Sequence, residues 1–315
     1  MATGVLPVFI GRATRAAEFC ENAEKEYIAG LRLGIVTDTQ DITGNIISDR
    51  SVCLPEISAG ALSAKDLSES DISTTGVSTT GVSTTGVSTT GVSTTGVSTT
   101  GVSTIGISTI AASGTDISAD DISTVITRFL GAQKQIPPMY SAIKLNGKKL
   151  YELARRGVEV PRPTRDIIIS EIQLLGSEGN DYSLRISCSK GTYIRTLCND
   201  IGEALGCGGT MSSLRRIRAG TFTINMAHTL TEIMSAIATG DIARYILSID
   251  SIFREYPPIT LDEDETQKCK NGAQFLTRRI PDNRYRFYGP DNEFLALGEA
   301  VSGKTRIIKS FFEVH

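Results

Sequence analysis

DYSLRISCSKGTYIRTLCNDIGEALG, residues 181–206, changes its hydrophobic period halfway along, and that change decides how the chain is built. In its first half Tyr182, Leu184, Ile186 and Cys188 alternate with polar neighbours, the two-residue period of a half-buried strand. In its second half Ile194, Leu197, Ile201 and Leu205 form a stripe at helical spacing, and Gly206 supplies the left-handed residue that ends a helix. A strand running through a short polar loop into an amphipathic helix predicts an α/β chain. Arg195 falls in the first turn of that helix, where the dipole favours an anion over a cation. Held partly buried, such an arginine calls for a carboxylate partner; on the surface it needs none.

Working outward, DISADDISTVITRFLGA places Ile122, Val125, Ile126 and Phe129 on one helical face behind an Asp/Ser-rich cap. Near the C-terminus Pro257-Pro258 breaks the chain, and RYRFYG, EFLALGEAV and TRIIKSFFEV read as strands of a small β unit. Between these, Asn146-Gly147 reads as a hairpin turn within a cationic string. STTGV is repeated six times from Ser73 to Val102, followed by STIGI and STIAA. Valine at every fifth position offers little apolar area against an ordering cost of about 1–2 kcal/mol per residue, so a flexible loop is expected. A solenoid of five-residue turns is the sharper alternative, but it needs bulkier inward side chains. With its Ser/Ala/Asp-rich flanks, the segment 57–116 reads as one insertion.

At 315 residues and 40% hydrophobic composition the chain has material for two domains. It has no run of apolar residues long enough to span a membrane and no basic leader, so a cytoplasmic protein without a membrane partner is expected. Six dispersed cysteines and two histidines, His228 and His315, fit neither a zinc site nor a disulfide framework. The net charge of −3 hides an uneven distribution. From Arg128 to Gly220 there are 15 Lys+Arg and 8 Asp+Glu, a balance of +7, which leaves −10 for the rest. Such a segment suits phosphate contacts, although an ordinary solvated face has the same composition.

Four segments together resemble the bacterial uridine-55 tRNA pseudouridine synthase family. They are MATGVLPVFIGRATR, EKEYIAGLRLGIVTDTQDITG, IPPMYSAIKLNGKKLYELARRG and CSKGTYIRTLCNDIGEALGCGGTMSSLRRIRAG, in the family's order. The resemblance implies a mostly antiparallel sheet flanked by helices over residues 1–246, interrupted by 57–116, and a PUA-like RNA-binding β domain over 247–315. It also implies isomerisation of a uridine in the T arm of tRNA by a monomeric enzyme that needs no cofactor or metal. The target base must be flipped from its stack, received on an aromatic surface and attacked by a carboxylate that a cation keeps ionised.

Residue by residue, Tyr27 in EKEYIAG matches the family tyrosine that stacks on the base and is a candidate for proton transfer; by spacing alone it is a core tyrosine. Arg195 in KGTYIRT matches the arginine paired with the nucleophile, and Asp41 in TDTQDITG an acid of the arginine network. Asp38 is assigned to an Asx-type turn. Tyr193 is expected near the base, and Leu214 matches a leucine packed on the pocket, which a plain core leucine would also do. Tyr140, Lys144, Lys148 and Lys149 are expected to hold the RNA, with Arg155, Arg156, Arg215, Arg216 and Arg218 as further phosphate contacts. The family's nucleophile is the aspartate of a Leu-Asp-Pro sequence just before the MATGVLP motif, which places it ahead of Met1. On that alignment the chain as written is expected to be inactive. Two further readings are a non-catalytic RNA-binding remnant and, from the repeat alone, a Ser/Thr-rich surface protein.

Overall fold

The computed structural model describes residues 2–49, 117–145, 147–275 and 280–312; the expected insertion, Cys53 and Asn146 lie outside them. Among the described residues seven strands form the main sheet, in the order β1 (Thr3–Gly4), β10 (Gly209–Ala219), β2 (Lys25–Leu33), β9 (Asp181–Cys188), β8 (Arg165–Glu178) and β5 (Gly131–Gln135). β11 (Phe222–Thr223) pairs with β10 off this path. Every pairing is antiparallel except β1 with β10. Two small ribbons lie beside it: β3 (Ile35–Thr37) with β4 (Ile46–Asp49), and β6 (Lys144–Leu145) with β7 (Lys148–Lys149). The Leu145–Lys148 pairing and the positive φ of Gly147 (81°) agree with the expected hairpin.

One face of the sheet is apolar because the alternation holds on every central strand. Ala29, Leu31 and Leu33 of β2, Leu184 and Ile186 of β9, and Ile167 and Ile169 of β8 are buried in one cluster. Two helices cover that face, α2 (Ala119–Thr127) and α4 (Ile194–Ala204). α2 begins at a capping box in which Ser118 and Asp121 satisfy each other's backbone donors, and it buries Ile122, Val125 and Ile126. α4 buries Ile194, Leu197 and Ile201 and stops at Gly206 (φ 80°), as its stripe predicts. Each of these fully buried aliphatic side chains contributes about 1.5–3 kcal/mol. The other face is polar, where Arg185 and Arg218 converge on Glu26, and Arg32 pairs with Asp181.

The remaining helices are short: α1 (Ala17–Asn22), α3 (Leu150–Ala154), α5 (Leu230–Thr239) and α6 (Glu263–Lys270). No helix among the described residues is long and apolar enough to cross a membrane. After α5, β12 (Pro258–Thr260), β13 (Asn283–Tyr288), β14 (Phe294–Val301) and β15 (Lys304–Ser310) make a four-stranded sheet with its own core around Phe287 and Leu295. This sheet is fastened to the N-terminal segment by aromatic packing. Phe253 meets Phe19 edge to face at 5.0 Å, while Phe294 stacks on Phe311 at 5.2 Å. Around them Lys309 pairs with Glu18 at 2.7 Å and Arg15 bonds the Ser310 carbonyl at 3.3 Å.

Candidate active site

The end of β9 turns through Ser189–Thr192, and Gly191 (φ 80°) lets the chain reverse into α4. The N-cap of α4 is Tyr193, whose own side chain makes no capping bond. Gln135, 4% exposed at the end of β5, instead holds the N-cap backbone from across the fold. Its amide oxygen accepts from the Tyr193 N–H at 2.8 Å and its amide nitrogen donates to the Tyr193 carbonyl at 3.0 Å. The first turn of α4, which carries Arg195, is thereby fixed to the sheet.

Arg195 has the acid partner that its position called for. Its Nη1 lies 3.5 Å from Asp41 Oδ2, with side-chain exposures of 23% and 21%. Its Nη2 donates to the Tyr140 carbonyl at 2.6 Å. Asp41 sits in a tight loop after β3. Its carbonyl accepts from the Thr37 hydroxyl at 2.8 Å and from the Gly44 N–H at 3.0 Å. Its Oδ1 accepts from the Thr43 N–H at 3.0 Å and from the Thr43 hydroxyl. A side chain on Gly44 would meet the side chains of Thr39 and Asp38, which would have to shift to admit it. The backbone on both sides of Asp41 bonds to Met211 of β10, from Ile42 N at 2.9 Å and to Gln40 O at 3.1 Å.

The assignment of the Asx turn requires correction. Asp38 does not bond two residues ahead; its carboxylate reaches Asn45, accepting from the backbone N–H and the side-chain amide, both at 2.9 Å. Asp41 forms the Asx-type bond, to Thr43, while also facing Arg195. Burial pushes the Asp41 carboxyl up, but the bonds from Thr43 and Thr39 and the charge of Arg195 outweigh it and hold it below the ordinary aspartate value. It is therefore ionised at neutral pH.

These groups line a cavity of about 340 Å³. Tyr27, Asp41, Tyr193, Arg195 and Leu214 all contribute to its wall, with Ala2 and Thr192. Tyr27 of β2 is in register with Arg216 of β10, and Leu214 of β10 with Ala29 of β2, so adjacent strands present both side chains. Burial, then the neighbouring Cys188, push the Tyr27 phenol above its ordinary value against the pull of Arg216. It stays protonated at neutral pH, a flat neutral surface with a proton to give.

Other sequence-predicted residues lie apart from this wall. Tyr140 contributes its carbonyl to Arg195. Lys144, Lys148 and Lys149 sit on the β6–β7 hairpin, the first two exposed and Lys149 reaching the Tyr151 hydroxyl at 3.3 Å. Arg155 and Arg156 are exposed beyond α3, Arg155 lying 5.3 Å from the centre of the Tyr151 ring, and Arg215 is exposed on β10. Arg218 is not available to a phosphate as expected, because Glu24 and Glu26 engage it, each at 2.9 Å. Arg216 donates from Nε to the Val5 carbonyl at 2.7 Å. Sequence reasoning did not single out Gln135, Gln40, Thr43 or Thr196, whose bonds hold the site together.

Two family models match the chain: the TruB family pseudouridylate synthase N-terminal domain over residues 1–65 and 89–194, and the tRNA pseudouridylate synthase B C-terminal domain over 195–254. A tRNA pseudouridine synthase B of Clostridium kluyveri is 33% identical, the alignment covering 99% of this chain and 86% of that protein. One from Francisella tularensis subsp. novicida is 35% identical, covering 99% and 82%. Among solved structures, a Cbf5-Nop10-Gar1 complex contains a chain of the same fold with a TM-score of 0.58 at 20% identity, covering 99% of this chain and 73% of that one.

Proposed function

Since this chain belongs to the TruB family of pseudouridylate synthases, whose members isomerise uridine to pseudouridine in tRNA, we propose that the Tyr27–Arg195 cavity receives a flipped uridine of the T arm. The observation that carries this reading is the Arg195–Asp41 pair in the wall of a cavity that Tyr27 also lines. The reaction breaks the bond from C1′ to N1, turns the base and joins C1′ to C5, whose proton is released while N1 takes one up. A neutral tyrosine offers the base a stacking surface that partly offsets its unstacking, a cost of a few kcal/mol. Leu214 and Met211 supply apolar wall, and Tyr193 closes the cavity at the α4 N-terminus.

Among the described wall residues Asp41 is the one carboxylate, and its oxygens face Thr43 and Arg195. Asp41 therefore holds the arginine, and the arginine holds the attacking carboxylate ionised. The family's Leu-Asp-Pro aligns just before Met1, and Ala2, the residue after Met1, lines the cavity, so the attacking carboxylate is proposed to enter from that side. The exposed lysines of the β6–β7 hairpin hold the stem-loop backbone, with a monomer as the working unit.

The test is tritium release from a T-arm stem-loop carrying 5-³H-uridine, with and without a Leu-Asp-Pro-bearing segment placed ahead of Met1. Release is expected to follow the added aspartate and to be lost when it is changed to alanine. Turnover by the 315-residue chain that Asp41→Asn abolishes would instead make Asp41 the nucleophile. Binding without turnover in every form would leave an RNA-binding protein.

A further inference from the structure

Gln40 is the non-glycine residue of the site loop with a left-handed backbone, φ 62°. The other described non-glycine residues with positive φ are Asn292 and Ser302, in turns of the C-terminal sheet. Glutamine lacks the short side chain that lets asparagine settle in this region, so the conformation persists only where its surroundings enforce it. Here three hydrogen bonds do so. The Gln40 N–H donates to the Thr37 carbonyl at 3.2 Å, its carbonyl accepts from Met211 N at 3.1 Å, and its Oε1 accepts from the Thr196 hydroxyl at 2.8 Å.

The last of these bonds crosses from the loop that carries Asp41 to the helix that carries Arg195. It joins residue 40 to residue 196, each the immediate neighbour of one member of the ion pair. At 3.5 Å the pair is longer than the roughly 2.7–2.9 Å of a charge-assisted hydrogen bond, so it does not set its own geometry. The 2.8 Å bond beside it is at full strength.

We propose that Gln40 is a positioning residue, which sets the distance between Asp41 and Arg195 by tying its loop to the first turn of α4 through Thr196. The proposal rests on the reading of the cavity as a uridine site. Thr196 is buried, so its hydroxyl depends on this acceptor within the fold. The left-handed turn aims the Gln40 side chain at α4 while its carbonyl remains on Met211 of β10.

The test uses Gln40→Gly, which accommodates the backbone and deletes the side chain, and Thr196→Val, which removes the hydroxyl at nearly constant volume. The Asp41 carboxyl is followed by carbon NMR against pH, and affinity for a T-arm stem-loop is measured by anisotropy. Both variants are expected to move the Asp41 titration upward, as Arg195 loses its hold. Both should weaken stem-loop binding by roughly three- to tenfold, the worth of one hydrogen bond, and the double variant should be no worse than either single one. Unchanged Asp41 titration in folded Gln40→Gly and Thr196→Val, or fully additive effects, would overturn the proposal. If the unaltered protein has no affinity for the stem-loop while Gln40→Gly still shifts Asp41, the positioning role stands and the uridine reading falls.

Discussion

Replacing Arg195 by methionine removes the guanidinium and keeps most of the packing of its stem, so the destabilisation reports on charge and hydrogen bonding. At 3.5 Å and an effective dielectric of about 20, the gross attraction to Asp41 is about 5 kcal/mol. Most of that is cancelled by the desolvation of two groups that are each only about one-fifth exposed. A net coupling of about 1 kcal/mol remains, between the values for exposed and buried pairs. The Tyr140 carbonyl also loses its donor, which adds about 1 kcal/mol. Arg195→Met should therefore cost about 2 kcal/mol in urea denaturation at pH 7. Asp41→Asn leaves Arg195 without its counter-charge but should cost less than truncation of Asp41, because the bonds to Thr43 orient either side chain. The double-mutant cycle then reads the coupling alone. The folded-state pKa of Asp41 lies below its unfolded value, so the pair contributes fully above about pH 4 and fades as the pH falls through the folded value. A coupling below about 0.3 kcal/mol at pH 7, or one that persists after Asp41 is protonated, would refute the claim that these charges hold each other.

Neutralising Lys144, Lys148 and Lys149 to glutamine should weaken stem-loop binding and flatten its log–log salt slope by about 0.7–0.9 for each phosphate no longer neutralised; an unchanged slope places the RNA elsewhere. Phe253→Ala empties the aromatic joint at Phe19, Phe294 and Phe311 and should cost about 3–5 kcal/mol, with a second calorimetric transition as the C-terminal sheet loosens. Glu26 is buried, which pushes its carboxyl up, but bonds from Arg218 and Arg185 pull it below the ordinary value. Glu26→Gln should accordingly be destabilising at pH 7 and close to neutral once the pH falls below the folded value, as acid denaturation curves would show. Tyr27→Phe should retain stem-loop binding and Tyr27→Leu should weaken it by about 1–3 kcal/mol, the stacking contribution of one aromatic.

Much of this could be read from periodicity. The alternation at Tyr182–Cys188 and the stripe at Ile194–Leu205 specify the strand and helix that carry the site, because burial on one face imposes both patterns locally. Arg195 was legible for a different reason. A cation at a helix N-terminus opposes the dipole, so a partly buried one needs an acid, and Asp41 provides it. What escaped were the amides. Gln135 caps Tyr193 across 58 residues and Gln40 bonds Thr196 across 156, and an amide-to-backbone or amide-to-hydroxyl bond imposes no spacing on the chain. Asp41 keeps its place beside Arg195, but the Asx bond falls to it and not to Asp38. The motif does not separate the two, because each is followed within it by residues suited to a turn. Only the folded loop shows that Asn45 returns to Asp38 and leaves Thr43 to Asp41. Arg218 looked like a phosphate ligand because Glu24 and Glu26, which engage it, lie more than 190 residues away.

Asp41 is what offsets an arginine at the unfavourable end of α4, and the amides determine the charge that remains there. An aspartate or serine at the N-cap would ordinarily satisfy the first free N–H groups and oppose the dipole. Tyr193 cannot, and the neutral Gln135 takes the N-cap backbone without adding negative charge. The local balance is then about +0.5 from the helix terminus, +1 from Arg195 and −1 from Asp41, which leaves about +0.5 facing the cavity. An acidic N-cap would have reversed that sign. An uncharged cap keeps this wall of the cavity electropositive, a charge that suits an anionic group. The role of Asp41 follows from the same arithmetic: it must be close enough to orient Arg195 and far enough not to saturate it, and the 3.5 Å separation held by the Gln40–Thr196 bond meets both conditions.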